Sequence, residues 1–327
     1  MSAADAFRQV EGQSAATDVL AHAVDNDRVA SSYLFEGPSG VGKQRSALAL
    51  AKVVLGADEA TQKRIDGGSH PDVRVFLPRE DGKRNIQVDT LRQQILPIAQ
   101  FAPFEARAAF LIFPEADVSF PELPPESANA LLKTLEEPRA NVHFILLSER
   151  PDRLLPTIRS RCQRVRFARL SSELLRRVLS EHDVPEDARE AAIALADGRA
   201  DRALVLAEGQ ATALLDMALE VDEACTVGGP GTLVRVSERL VRGELPLRTV
   251  FDALIAFYRD VAAAGLGLPD DMLAFRHRAA DIRARATRVN PTRASDRVAQ
   301  IGQAQIALER NGNPQVVVDA LLYGARV

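Results

Sequence analysis

The glycine-rich stretch at residues 37–44 constrains the fold of this chain more than any other part of the sequence. It reads Gly-Pro-Ser-Gly-Val-Gly-Lys-Gln, it follows the apolar run 33–35, and it precedes residues 45–55, which are rich in Ala and Leu. A buried strand, a Gly-rich turn and a helix in this order are typical of a phosphate-binding loop, in which backbone N–H groups and a helix N-terminus face an anion. Lys43 is then expected to reach the β- and γ-phosphates of a nucleotide. The alternative is a turn that only caps a helix. The loop glycines are Gly37, Gly40 and Gly42.

The two protein groups that normally organise Mg²⁺ in such a site are both replaced. A working loop carries Ser or Thr directly after its Lys because the hydroxyl ligates Mg²⁺, and here that residue is Gln44. A second motif places Asp at the end of an apolar strand, but the run 110–113 is followed by Pro114 and then by Glu115. Asp117 lies too far past the strand to substitute easily. The sequence therefore predicts a degenerate site that does not hydrolyse nucleotide, unless the strand register is shifted by a few residues.

Alternating strands and helices predict a doubly wound, mostly parallel α/β domain in the first half of the chain. The continuous apolar runs 108–113 and 143–147 are typical of central parallel strands. After Leu170 the periodicity becomes helical almost to the end of the chain. The predicted division is an α/β P-loop domain over 1–167, a small helical lid over 168–209 and an all-α domain over 210–327.

Composition narrows the classes of function. The chain has 327 residues and a formal net charge of -4, so no global basic field draws it to nucleic acid. The N-terminus is polar and no apolar run approaches the length of a membrane span, which predicts a soluble, cytoplasmic protein with no membrane partner. The two cysteines, Cys162 and Cys225, are too few for a disulfide framework or a Cys-rich zinc site.

Two segments carry a specific family resemblance. Residues 127–138 read Ser-Ala-Asn-Ala-Leu-Leu-Lys-Thr-Leu-Glu-Glu-Pro, and residues 154–163 read Leu-Leu-Pro-Thr-Ile-Arg-Ser-Arg-Cys-Gln. Both resemble the clamp-loader subunits of bacterial DNA polymerase III, within the AAA+ superfamily. The Gly-rich loop, the His-Pro-Asp sequence at 70–72 and the Asn-Pro pair at 313–314 extend the resemblance over nearly the whole chain. It implies an AAA+ P-loop domain, a helical lid and a C-terminal helical collar that oligomerises.

Within that family the chain resembles the delta-prime type, the stator, more than the ATP-hydrolysing gamma/tau type. Gamma/tau subunits keep Lys-Thr or Lys-Ser in the loop and Asp-Glu after the strand, where this chain has Gln44 and Pro114. They also carry a sensor Arg in the lid, at a position that Asp201 occupies here. The alternatives are an active gamma/tau-type ATPase and a small-molecule P-loop kinase, which is disfavoured because nothing supplies a lid for an acceptor substrate.

The resemblance also implies partners and cofactors. Gamma/tau and delta subunits would assemble with this chain through its collar, and the complete loader would place the sliding clamp on primed DNA at the expense of ATP. No cofactor is required of this chain itself, although Lys43 and the loop glycines permit weak binding of ATP or ADP. An apolar stripe within residues 247–258 of the collar is attributed either to assembly or to a core of its own.

Residues 160–162, Ser-Arg-Cys, match the trans-acting motif of the family. The resemblance implies that Arg161, between Ser160 and Cys162, projects into the ATP site of a neighbouring subunit and neutralises charge on the γ-phosphate. The alternative is that Arg161 forms only a surface salt bridge. Ser148 lies where the family places another polar sensor residue.

Two further departures concern insertions. The family usually carries a four-Cys zinc module before the His-Pro-Asp sequence, whereas residues 57–69 contain no Cys and are predicted to be a polar connector, so no zinc is expected. A Pro-rich loop over residues 118–126 is longer than the family norm, and its role is open.

Overall fold

The computed structural model describes residues 6–8, 10–78, 85–122, 125–243, 245–310 and 312–326. It divides the chain into two compact units, Met1–Ser171 and Ser172–Val327. The three-part division expected from the sequence stays a prediction.

The first unit is built on a parallel sheet of five strands: β1 (Ser32–Glu36), β2 (Val73–Val75), β3 (Ala109–Phe113), β4 (Val142–Ser148) and β5 (Gln163–Arg166). Their order in the sheet is β2-β3-β4-β1-β5. The strands β1, β3 and β4 are buried along their whole length, because apolar clusters cover both faces of the sheet. Successive residues such as Leu34 and Phe35 belong to opposite clusters, because neighbouring side chains of a strand point to opposite faces of the sheet. The predicted α/β class is confirmed.

Helices connect the strands of this unit. A π-helical turn, Leu91–Ile95, joins two of them, and a 3₁₀ turn, Pro151–Arg153, follows β4. The helices are α1 (Ser14–Asp25), α2 (Lys43–Leu55), α3 (Glu59–Asp66), α4 (Val88–Thr90), α5 (Leu96–Gln100), α6 (Ala116–Ser119), α7 (Glu126–Glu136) and α8 (Pro156–Arg159).

Two expectations about connecting segments are corrected. Residues 57–69 are not a plain connector, because Asp58 accepts a hydrogen bond from the backbone N–H of Thr61 at 2.8 Å and so caps the helix α3. The predicted Pro-rich loop 118–126 is helical at both ends, where α6 ends and α7 begins. Leu123 and Pro124 of that loop lie outside the described residues.

The second unit is helical throughout its described residues. The middle of the 19-residue helix Leu247–Gly265 lies in the core of the unit, where Phe251 and Phe257 are fully buried. The π-helical segment Leu206–Gln210 contains non-helical backbone at Glu208 and Gly209, and short 3₁₀ turns lie at Asp270–Met272 and Arg276–Arg278. The helices are α9 (Ser172–Glu181), α10 (Glu186–Ala196), α11 (Ala200–Val205), α12 (Ala211–Thr226), α13 (Pro230–Arg242), α14 (Leu247–Gly265), α15 (Ala279–Ala286), α16 (Pro291–Glu309) and α17 (Pro314–Gly324).

Among the helices of the described ranges, none combines the length and the apolar character needed to cross a lipid bilayer.

Candidate functional site

The glycine-rich loop joins the end of β1 to the start of α2, as the sequence predicts. Gly37 has a φ of +148°, and a Cβ at this position would lie 2.3 Å from the carbonyl oxygen of Phe167. Gly40 and Gly42 also have positive φ, and Gly42 is the N-cap residue of α2 without any side-chain cap. The backbone conformation of the turn therefore favours glycine at all three positions, and Gly42 supplies no side chain to cap the N-terminus of α2.

Lys43 is buried, and its ammonium group is held by the loop itself. Nζ donates to the carbonyl oxygen of Gly37 at 2.6 Å and to that of Pro38. Gln44 is exposed at the first turn of α2. The cation that would meet phosphate thus lies against backbone oxygens, and the residue where Mg²⁺ would need a hydroxyl points toward solvent.

The end of β3 is the place where the sequence predicts a degenerate second motif. Phe113 is the last residue of the strand and pairs with Leu146 of β4, so Pro114 follows the strand directly. Pro114 is buried, whereas Glu115 is exposed and has a φ of +49°. The strand register assumed in the sequence analysis is confirmed, and the position where Asp is needed holds a side chain without an oxygen.

A carboxylate that the sequence analysis set aside lies beside the end of β4. Asp117 accepts a hydrogen bond from the Ser148 hydroxyl at 2.7 Å and another from the backbone N–H of Glu149 at 3.3 Å. The polar residue that ends β4 is thus bound to an acid from α6. This pair has no signature in the sequence, because its members lie 31 residues apart.

The Ser-Arg-Cys segment forms the turn between α8 and β5. The Ser160 hydroxyl donates to the carbonyl oxygen of Thr157 at 3.1 Å, and Arg161 Nη1 donates to the same oxygen at 2.9 Å. Arg161 Nη2 forms an ion pair with Glu136 at the end of α7. Cys162 is buried in the core, and burial raises the pKa of its thiol to about 12, so it packs as an uncharged side chain.

The sheet topology separates Arg161 from the loop of its own chain. The loop follows the last residue of β1, whereas Arg161 precedes β5, whose first residue pairs with Tyr33 near the start of β1. In parallel strands the two positions lie at opposite ends of the sheet, and a strand of this length spans roughly 15 Å at about 3.3 Å per residue. The structure therefore brings the loop and the second motif together at the carboxyl ends of the strands and places Arg161 at their amino ends.

The buried side-chain amide of Gln13, which no motif in the sequence indicates, holds the N-terminal segment in place. Gln13 Nε2 donates to the carbonyl oxygen of Ala168 at 2.7 Å, and Gln13 Oε1 accepts from the N–H of the same residue at 2.9 Å. This segment packs against the loop, since a Cβ on Gly42 would lie 3.4 Å from Val10. Glu136 was missed as well, although it lies within a segment that carries the resemblance, because its pairing with Arg161 depends on how α7 and α8 pack.

The described residues contain no group of three or more His, Cys, Asp and Glu side chains placed to hold a metal ion. The absence of zinc stays a prediction.

Comparison with known proteins finds similarity to subunits of DNA polymerase III. Residues 12–171 match the family model described as DNA polymerase III, delta subunit. The delta-prime subunit of DNA polymerase III from Bacillus subtilis is 34% identical over 174 residues, which cover 51% of this chain and 50% of that protein. The delta-prime subunit from Pseudomonas aeruginosa is 36% identical over 183 residues, which cover 52% of this chain and 53% of that protein.

A gamma/tau-type relative is also similar. The DNA polymerase III subunit tau of Bacillus subtilis is 31% identical over 289 residues, which cover 78% of this chain and 49% of that protein. The chain therefore spans about half the length of the curated relatives that it matches. These similarities do not by themselves separate the two subunit types.

Proposed function

Because residues 12–171 match the family model described as DNA polymerase III, delta subunit, we propose that this protein is a clamp-loader subunit of the non-hydrolysing, delta-prime type. The site at the carboxyl ends of the strands supports the delta-prime type over the gamma/tau type. Gln44 and Pro114 stand at the positions of the two Mg²⁺-organising groups, so neither position supplies the hydroxyl or carboxylate that orients Mg²⁺ on the β- and γ-phosphates. ATP or ADP binds weakly at most, through Lys43 and the loop backbone, and no zinc is required.

The placement of Arg161 carries the second half of the proposal. Its guanidinium lies at the end of the sheet opposite the loop, so it has no role at the nucleotide site of its own chain. A guanidinium stays charged and presents a planar set of donors that matches phosphate oxygens. Arg161 therefore acts in trans, on the ATP site of a neighbouring gamma/tau subunit.

The remaining partners follow from the same assignment. The helical region over residues 210–327 joins this chain to gamma/tau and delta subunits, and the assembled loader places a sliding clamp on primed DNA. In this account the chain is a scaffold and activator within the polymerase III holoenzyme and has no catalytic residue acting in cis.

The test is ATP hydrolysis by a loader reconstituted from this chain with gamma/tau and delta subunits. Arg161→Ala should leave assembly intact and slow one site by about 10³–10⁵-fold, the range for trans arginines, while the other sites keep their rates. Arg161→Lys should restore little, because an ammonium lacks the planar fork. Arg159→Ala is the matched control, since it removes the same charge two residues away, at the end of α8. Wild-type rates at every site with Arg161→Ala would exclude the trans role.

An active gamma/tau-type ATPase is the second candidate, and the similarity to the tau subunit over 78% of this chain favours it. Steady-state turnover by the isolated chain separates the two. The delta-prime assignment predicts no hydrolysis above background with Mg²⁺ present. Turnover at the rate of a competent gamma/tau subunit would replace it.

A further inference from the structure

The guanidinium of Arg161 is held from two sides by its own chain. Nη1 donates to the Thr157 carbonyl oxygen at 2.9 Å, and Nη2 pairs with Glu136 Oε1. The Arg161 side chain is still 33% exposed and that of Glu136 is 47% exposed. A guanidinium has five N–H donors, so three of them have no partner among the described residues. The ion pair thus restrains Arg161 and leaves most of its donors available to a ligand from outside.

Both members of the ion pair lie next to residues that are buried in one apolar core. Glu136 is the last residue of α7 and follows Leu135, which is buried. Arg161 precedes Cys162 and lies close after Ile158, both of which are buried in the same apolar cluster as Leu135. The charged pair therefore rests on one packed core, which holds the end of α7 and the turn that follows α8.

We propose that Glu136 is a positioning residue for Arg161. By holding Nη2, Glu136 fixes the rotamer of a long side chain that would otherwise sample many conformations, and it aims the three remaining donors outward. Side-chain entropy lost in advance is not lost again when phosphate arrives, which is how preorganised groups accelerate a reaction. This inference rests on the proposed trans role of Arg161.

The charge of Glu136 raises a competing possibility. A carboxylate beside Arg161 repels an approaching phosphate and competes for the guanidinium, in which case removing it would speed the neighbouring site. The exposure of Glu136 argues against a strong repulsion, because solvent and salt screen charges at a protein surface. The free donors also allow Arg161 to bind phosphate while it keeps Glu136.

The experiment uses the full-length chain in the reconstituted loader, with single-turnover ATP hydrolysis resolved by site. Glu136→Ala should lower the rate of the site that depends on Arg161 by roughly tenfold to a hundredfold, the effect of a small misplacement of a catalytic group. Glu136→Gln, which keeps an acceptor for Nη2, should recover part of that loss. Loader assembly and the rates of the other sites should not change. Glu137→Ala is the matched control, because Glu137 is an exposed neighbour of the same charge outside the ion pair.

A double variant separates positioning from a general structural effect. If Glu136 acts only through Arg161, then Glu136→Ala combined with Arg161→Ala should be no slower than Arg161→Ala alone. A rate for Glu136→Ala equal to wild type or above it, with Arg161→Ala still slow, would overturn the inference and leave the proposed function standing. If Arg161→Ala itself has no effect, the proposed trans role fails and the inference fails with it.

Discussion

At the scale of single residues, both the backbone conformation and a close contact with Phe167 favour glycine at position 37. Gly37→Ala should lower the free energy of unfolding by more than the about 1–3 kcal/mol that an unfavourable φ costs, because its Cβ would lie 2.3 Å from the Phe167 carbonyl oxygen. Gly56→Ala is the control, since Gly56 has a φ of +64° and open space around its Cβ position. Urea unfolding of the two variants measures the difference, and equal losses would contradict the contact with Phe167.

His143 gives the first unit a dependence on pH. Its ring stacks on Phe110 at 4.7 Å, Nδ1 donates to the Ala30 carbonyl oxygen at 2.8 Å, and burial lowers the pKa of the imidazole. The unfolded chain therefore binds a proton more readily than the folded chain. Stability from the neutral ring is present above the unfolded pKa of about 6.5 and is lost as pH falls toward the lowered folded value.

The test is the pH dependence of urea unfolding between neutral and acidic pH. His143→Asn keeps a donor for Ala30 and removes the titrating ring, so it should flatten the loss of stability below about pH 6.5. His22→Asn, at an exposed position of α1, should leave that slope as it is in the wild-type chain. An unchanged slope in His143→Asn would show that other groups cause the acid sensitivity.

At the scale of elements, the His-Pro-Asp sequence has a physical role in linking β2 to the segment before β3. Asp72 is buried, and its carboxylate accepts backbone hydrogen bonds from Phe104, Glu105 and Ala106, the last two at 2.9 Å. His70 Nδ1 accepts from the N–H of Asp72 at 3.1 Å. One carboxylate thus orders three consecutive residues, and it holds Phe104 although that side chain is 84% exposed.

Asp72→Asn should therefore destabilise the first unit by about 1–3 kcal/mol, because an amide has one acceptor oxygen and its NH₂ group would face backbone donors. Hydrogen exchange at residues 104–106 should become faster. Asp66→Asn removes an equal charge from an exposed ion pair with Lys52 and should cost less than about 1 kcal/mol. Exchange rates at 104–106 that match the wild type would show that Asp72 does not order this segment.

At the scale of the whole molecule, assembly is expected to depend on the second unit. Its apolar stripe does not by itself indicate an interface, because Val250, Phe251, Leu254 and Tyr258 are buried within the unit. A core of its own thus accounts for that stripe. Exposed apolar side chains of this unit lie elsewhere, including Val227, Val316 and Tyr323.

Truncation tests the assignment of assembly to this region. A chain ending at Glu208 keeps the complete first unit and should not join gamma/tau and delta subunits, whereas full-length Arg161→Ala should join them normally. Size-exclusion chromatography of the mixed subunits, with the circular dichroism of the truncated chain as a check on folding, measures both. Full-affinity assembly of the folded truncated chain would show that residues 210–327 are not the collar.

The sequence by itself determined the features that depend on neighbours along the chain. The glycine-rich loop between β1 and α2 and the buried strands β3 and β4 follow from local pattern and motif spacing. Residues 57–69 are the exception. Their polar composition predicted a connector, but Asp58 caps a helix within this segment.

Only the tertiary structure decided which distant residues meet. The parallel pairing of β1 with β5 places Arg161 at the opposite end of the strands from Lys43. The packing of α7 against α8 gives Arg161 its partner Glu136. The same holds for Asp117 with Ser148 and for Asp72 with the segment before β3. Hydrophobic periodicity specifies which face of an element is buried but not which element covers it. These contacts therefore became visible only when the sheet and its helices were assembled.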